Sequence, residues 1–383
     1  MRYPDFLQDG QRIGFIAPSF GCSAGVYRWR FDKALENLSD AGYKTVLGPN
    51  VYAAEGIGIS NTPAKCAEEA NDFLINDKSD VIISCGGGEL MCEILPYVDF
   101  EKIADANPKW FVGYSDNTNL TFLLNTLCDT AAVYGPNAGA YMSREVMQQA
   151  YRYIMSRSDK SVAEIDKLAD IMYLMAQNAF DLICGKKLSF NNYDKWYEEY
   201  KLSDEELGLP DSENETDEQV AFSDFTAHEH KHFLYCGDKE VSTVEFEGRI
   251  TGGCLDCLTG LVGTGFDRVQ EFAKRYKDDG IIWFMESCDL NVMSQTRSYW
   301  ALDNAGWFEN VKAFIIGRPL QFEDTFDDFD HYKAALHSLS KYNVPIILDA
   351  DIGHLPPQMP IMSGAYAKVS ADGKNMSITY ELR

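Results

Sequence analysis

Residues 109–127, KWFVGYSDNTNLTFLLNTL, hold the serine best placed for nucleophilic chemistry. An apolar run leads into Gly113, Ser115 follows at the bend, and Asp116, Asn117 and Thr118 are residue types that begin helices. A hydroxyl on such a strand-to-helix turn stands clear of the backbone. The unpaired N–H groups and the positive end of the helix dipole then face any oxyanion formed beside it. The same residues also suit a plain capping turn. The pattern is not the G-x-S-x-G elbow, since position 117 is Asn.

A second loop, SCGGGE over residues 84–89, closes a short apolar run. Its glycines let backbone N–H groups approach an anion, or simply make a tight strand-to-helix connection. The spacing fits neither a P-loop nor a G-x-G-x-x-G fingerprint, so no nucleotide cofactor is expected. A serine nucleophile needs a base, and the chain has 6 histidines. His228, His230 and His232 fall in HEHKH beside an acidic stretch, and His331 and His337 on a polar helical run. His354 differs, because Gly353, Pro356 and Pro357 stiffen a loop just past an apolar run, where α/β folds place function. A surface-loop histidine is the plain alternative. The orienting acid is expected at Glu286, which ends IIWFME, since a carboxylate there is expensive unless paired or functional. Pairing with Arg297 or capping a helix is its structural alternative, and Asp256 in GGCLDC is the runner-up acid.

The elements that must position these groups follow from periodicity. Apolar runs at 12–18, 43–47, 81–84, 110–113 and 132–134 alternate with helical stripes at 34–41, 63–76 and 118–128. Such alternation predicts a parallel sheet covered on both faces. Residues 142–246 break the rhythm: 165–180 has helical spacing, while 203–230 carries ten Asp or Glu and no Lys or Arg, as a solvated linker would. Strand-like runs return at 249–252, 281–285, 313–317 and 344–348, and a hairpin is expected around Asp372 and Gly373. The expected organisation is an N-terminal α/β domain over 1–141, a helical and acidic insertion over 142–246 and a C-terminal mixed α/β domain over 247–383.

Composition narrows the function further. With 383 residues, 45% of them apolar, the chain has ample core for two or three domains. A net charge of −25 argues against a nucleic-acid or anionic-membrane surface. The first ten residues, MRYPDFLQDG, do not read as a secretory signal, and 10 irregularly spaced cysteines suit reduced thiols, so a cytoplasmic protein is expected. Cys254-x-x-Cys257 lacks the second pair of a zinc ribbon, and a solvated linker accounts for the alternating histidines, so no metal is expected.

Taken together, NPKWFVGYSDNTNL at 107–120, Gly87-Gly88, LPYVDF at 95–100, Gly135-Pro136, TGGCLDCL at 251–258 and Gly353-His354 resemble the serine LD-carboxypeptidase family. That family also contains the microcin C immunity peptidases. The resemblance implies a Rossmann-like or flavodoxin-like N-terminal domain with the nucleophile and a C-terminal, β-barrel-like domain with the acid and base. By position it makes Ser115 the nucleophile, Glu286 the acid and His354 the base, with Gly87, Gly88 and the Asp116 amide as the oxyanion hole. It implies a peptide or peptide-nucleotide substrate and a homodimer. Where many members continue the glycine pair with Tyr-Gly and an Arg, this chain has Glu89, Leu90 and Glu93, which leans toward the immunity branch. Cys254 also follows Gly253 where Asn is common. Glu89, Asp256 and Trp196, in YDKWYEEY, are the candidate substrate-binding residues, with packing as the alternative for Trp196.

Overall fold

The computed structural model describes residues 1–23, 25–201 and 223–383. In the N-terminal part, the apolar runs form five parallel strands, Arg12–Ile16, Lys44–Leu47, Val81–Ser84, Trp110–Gly113 and Ala132–Tyr134. Numbered along the chain, their spatial order is 2-1-3-4-5, the flavodoxin-like arrangement. Helices Gly25–Asp40 and Pro63–Ile75 cover the sheet with Phe31, Ala34 and Leu38, and with Ala67, Ala70, Phe73 and Leu74, the faces their 3.6-residue spacing prescribes. Ser84 and Gly113 end adjacent strands, so the two chemistry-bearing loops emerge side by side at the carboxyl edge.

A nine-stranded mixed sheet forms the second half. Its centre is parallel: Thr243–Cys254, Ile281–Glu286, Val311–Gly317 and Pro345–Ala350. Every residue of Ile281–Glu286 is buried, as a central strand covered on both faces requires. Hairpin Tyr366–Asp372/Met376–Glu381 extends the sheet on one side, as expected.

The halves meet around helix Thr118–Thr126, which begins at the serine turn and is buried at all nine positions. Phe122 packs on Trp283 and Trp307 of the second half, at ring-centroid distances of 5.9 Å and 5.3 Å. Asn125 donates to Thr130 O and Ser363 O and accepts from Thr251 and Ser363 hydroxyls, so a buried amide is satisfied by both halves. Gly253, at φ +152°, lets the second sheet come this close. A Cβ there would lie 2.5 Å from Thr118 Cγ2, and the adjacent Cys254 N–H donates to Thr118 Oγ1 at 2.9 Å. The halves are also interleaved, because Ile361–Ser363 leaves the second half and adds antiparallel to Ala132–Tyr134 as an edge strand of the first sheet.

The described residues of 142–246 form more than a helical and acidic linker. Ser189–Asn191 and Phe233–Cys236 join the second sheet, and Lys195–Lys201 pairs with Ser223–Glu229 as a separate two-stranded arm. Residues 202–222 of the acidic stretch lie outside the described residues. His230 and His232 are buried, which corrects the solvated-linker expectation for them. His230 Nδ1 lies 3.2 Å from the buried Asp351 carboxylate, and His230 Nε2 is 2.9 Å from His232 Nε2. These partners lie far along the chain or behind a turn, and composition does not see them.

Candidate active site

Ser115 sits between strand Trp110–Gly113 and helix Thr118–Thr126 at φ +63°, in the left-handed region that a non-glycine residue adopts at a cost of about 1–3 kcal/mol. Three neighbours hold it there. Tyr134 Oη accepts the Ser115 N–H at 3.0 Å. Asn117 Nδ2 donates to Gly86 O at 2.8 Å and Tyr114 O at 3.1 Å, lacing the serine turn to the glycine loop. Asp116 turns its carboxylate away from the serine, accepting from Ser19 Oγ at 2.6 Å and the Met91 N–H at 2.9 Å; burial raises its pKa despite these donors.

Glu286 and His354 converge on this turn from the second half. His354 Nδ1 lies 2.8 Å from Glu286 Oε2, and Nε2 lies 2.9 Å from Ser115 Oγ. A carboxylate accepts only, so Nδ1–H donates to Glu286, and the Nε2 lone pair of the neutral ring accepts the Ser115 hydroxyl proton. The other Glu286 oxygen accepts from Tyr134 Oη at 2.5 Å. Ser115, His354, Glu286 and Tyr134 therefore close a ring of hydrogen bonds across both halves. Arg297 is occupied elsewhere, donating to Ser294 Oγ at 2.9 Å.

The electrostatics are reciprocal. Burial opposes the His354 imidazolium, but the Glu286 charge and hydrogen bonds to Cys288 and Glu286 outweigh it, so the pKa lies well above the usual histidine value. Burial likewise opposes the Glu286 carboxylate, but His354, Tyr134 and Cys254 hold its pKa below the usual value. Burial and the Glu286 charge together push the Tyr134 phenol well up, so it remains a donor.

Gly87 stands against Ser115: a Cβ there would meet Ser115 Cβ at 3.3 Å and Oγ at 3.4 Å. Its carbonyl accepts from the Phe20 N–H at 2.8 Å, while its own N–H finds no acceptor among the described residues. Gly88 is turned the other way, with room for a Cβ taken by Ser19 Oγ at 2.1 Å and Gly58 O at 2.8 Å. The remaining expected residues are not brought together. Glu89 is exposed. Asp256 caps the turn after Glu286, accepting from the Cys288 and Asp289 N–H groups at 3.1 Å and 2.9 Å. Trp196 is stacked on His228 at 3.9 Å, with the Arg318 guanidinium 4.5 Å from its ring centroid, and does not line the cleft beside His354. That cleft, ≈ 730 Å³, is bordered by Gly87, Tyr114, Asn137, Gly353 and His354. All ten cysteines are free thiols; Cys257 Sγ points at Ser115 O, 3.7 Å away. No cluster of three or more His, Cys, Asp or Glu suited to a metal occurs among the described residues.

Tyr134 and Asn117 are the site residues that sequence reasoning missed. Tyr134 reads as an ordinary aromatic strand end, and Asn117 as a capping residue.

The model of the LD-carboxypeptidase N-terminal domain matches residues 13–135, and that of the C-terminal domain matches residues 247–369. The chain belongs to the LD-carboxypeptidase family. Ser115 lies inside the first match, and Glu286 and His354 inside the second. The chain is similar to the Microcin C7 self-immunity protein MccF of Escherichia coli, 24% identical over 376 residues, 97% of this chain and 94% of that protein. The structure of MccF in complex with glutamyl sulfamoyl guanosine aligns with a TM-score of 0.70 at 23% identity, over 99% of this chain and 98% of that one. An MccF-like protein from Bacillus anthracis gives a TM-score of 0.69 at 17% identity over 100% of both chains. These likenesses establish a shared two-part α/β fold. No described helix is long and apolar enough to cross a membrane.

Proposed function

We propose that this LD-carboxypeptidase family member is a metal-independent serine peptidase that cleaves the amide bond before a C-terminal residue, as in a murein tetrapeptide. The observation that carries the reading is the two-step relay through His354, 2.9 Å to Ser115 Oγ and 2.8 Å to Glu286. His354 Nε2 takes the hydroxyl proton as Ser115 Oγ bonds to the scissile carbonyl carbon. Glu286 keeps Nδ1 protonated and stabilises the imidazolium. The carbonyl π electrons move to oxygen, and the N–H groups of Asp116 and of Gly87 are the donors assigned to meet that charge. Collapse of the tetrahedral adduct breaks the C–N bond, and the imidazolium protonates the departing amine. Water, activated by the regenerated imidazole, then hydrolyses the acyl-enzyme. No cofactor takes part.

A second substrate reading is an aminoacyl or peptidyl nucleotide analogue. It is favoured by full-length similarity to MccF, whose structures include complexes with aspartyl sulfamoyl adenosine and glutamyl sulfamoyl guanosine, and by a cleft larger than a terminal residue needs. A cytoplasmic homodimer completes the proposal, and sedimentation of the purified chain tests the dimer. Mass spectrometry of a murein tetrapeptide ending in D-Ala and of an aminoacyl sulfamoyl adenosine, each incubated with wild type and Ser115→Ala, tests the activity. Serine-dependent release of D-Ala supports the first substrate, and serine-dependent cleavage of the adenosine compound alone supports the second. Undiminished turnover by Ser115→Ala refutes the mechanism.

A further inference from the structure

Besides His354, the charged side chains lining the cleft are Arg30 and Glu199, among the described residues. They come from different elements, Arg30 from helix Gly25–Asp40 and Glu199 from the arm strand Lys195–Lys201. On the same helix, Arg28 pairs with Asp32 and Lys33 with Glu36. Half-buried Arg30, by contrast, has no carboxylate within 4.0 Å and no hydrogen-bond acceptor among the described residues, in a chain of net charge −25. Among the described residues Glu199 also has no cation within that distance, although the Arg30 charge acts on it across the cleft against the effect of burial; its only described hydrogen bond comes from Tyr151 Oη at 3.3 Å, which fixes one carboxylate oxygen at the cleft wall. A guanidinium and a carboxylate that share one cavity without touching leave a gap with a field across it.

We propose that Arg30 and Glu199 form a subsite for a substrate group carrying a carboxylate and an ammonium close together, the carboxylate on Arg30 and the ammonium on Glu199. A neutral or singly charged segment satisfies at most one wall of the gap. A planar guanidinium suits a carboxylate through paired N–H donors.

The position relative to Ser115 follows from close contacts. Gly87 lies against Ser115, a Cβ on Gly87 would be 3.9 Å from Asn137 Nδ2, and a Cβ on Gly139 would be 3.5 Å from Arg30 Cβ and 4.0 Å from its Nε. Arg30 thus stands in the same cleft as Ser115, separated from it by Gly87, Asn137 and Gly139. The recognised group is assigned to the acyl part of the substrate, which Ser115 retains when the amine departs. It belongs either to the end of a long side chain, such as a diaminodicarboxylic acid in a cell-wall peptide, or to the acidic amino acid of an aminoacyl nucleotide. This inference rests on Ser115 marking the scissile bond.

Calorimetric titration of Ser115→Ala protein, which binds without turnover, separates the two sources. One arm compares tetrapeptides ending in D-Ala whose third residue is diaminopimelate or lysine. The other compares aspartyl with alanyl sulfamoyl adenosine. Within each pair, the ammonium is common and the carboxylate is not. The expected result is a preference of about 10–100-fold for the carboxylate-bearing member of one pair. Adding Arg30→Ala reduces that preference to about 1–2-fold, Arg30→Lys keeps part of it, and Glu199→Gln weakens both members alike. A preference absent from the parent, or surviving Arg30→Ala in a folded protein, overturns the subsite, as does failure of every ligand to bind. Cleavage of the same ligands by the Ser115 enzyme is scored separately. Serine-dependent cleavage without carboxylate preference overturns the subsite alone. An Arg30-dependent preference without cleavage supports the subsite and overturns the proposed chemistry.

Discussion

Replacing Tyr134 by Phe removes one oxygen that makes two hydrogen bonds, a buried one donated to Glu286 Oε1 and a half-buried one accepted from the Ser115 N–H. A hydrogen bond to a charged group contributes about 1.5–3 kcal/mol, and a stranded N–H costs about 1–3 kcal/mol when buried and less when half-buried, as here. Because the two share an atom, they do not simply add, and a loss of about 2–5 kcal/mol in unfolding free energy is expected from urea titration. The catalytic effect has a separate signature. Ser115 holds φ +63° partly through this bond, so its release lets Oγ drift, and a displacement of about 1 Å lowers kcat by about 10²-fold. The Tyr134 donor also helps hold the Glu286 pKa down. Without it, the carboxylate is more basic, the imidazolium more stable, and the acid limb of kcat/KM moves to higher pH. A merely structural tyrosine would not move that limb. Tyr134→Phe with kcat/KM within about threefold of wild type and an unshifted pH profile would refute the argument.

The remaining expectations concern the same framework. The wild-type kcat/KM should rise with pH through a pKa above the usual histidine value, because the reaction needs neutral His354 and the folded site favours its cation; Glu286→Gln should move that limb to lower pH and lower kcat by about 10³–10⁴-fold in a full pH–rate profile. By the same linkage, the His354 cation stabilises the fold fully below the ordinary histidine value, and this contribution fades as pH rises through the raised one. Gly253→Ala should destabilise by about 1–3 kcal/mol in a denaturant titration, since its Cβ would collide with Thr118. Glu69, buried between the Ala17 and Asn50 N–H groups, has a pKa raised by burial to about 7. The folded state binds that proton more tightly than the unfolded chain, so stability should fall by up to about 3 kcal/mol between pH 5 and 8, and Glu69→Gln should flatten the fall. Turnover should be unchanged after dialysis against a chelator.

Much of the first sheet was legible, because parallel strands buried on both faces appear as short apolar runs, and those at 81–84, 110–113 and 132–134 coincide with the observed strands. Ser115, Glu286 and His354 stood out as candidates for a related reason: Glu286 ends such a run and the other two lie just past one, where α/β folds place polar side chains. Their convergence was supplied by the resemblance, since no local pattern encodes a 2.8 Å contact between residues 68 positions apart. Tyr134 was invisible because its apolar ring suits a strand whether or not its hydroxyl is engaged. The arm Lys195–Lys201 was missed because its sequence, KWYEEYK, is too charged to read as a half-buried strand. Arg30 was missed because a basic residue on a helix looks solvated until the element opposite it is known.

The edge strand Ile361–Ser363 carries a consequence for biosynthesis. Ala132–Tyr134 emerges from the ribosome long before its antiparallel partner exists, so the nascent first sheet presents an open, fully buried-type β edge that invites pairing with other chains. His354 also arrives just ahead of that partner. Synthesis through residue 363 thus supplies both the imidazole that meets Ser115 and the cover that protects the unfinished sheet, and chains that stop before it lack the two together.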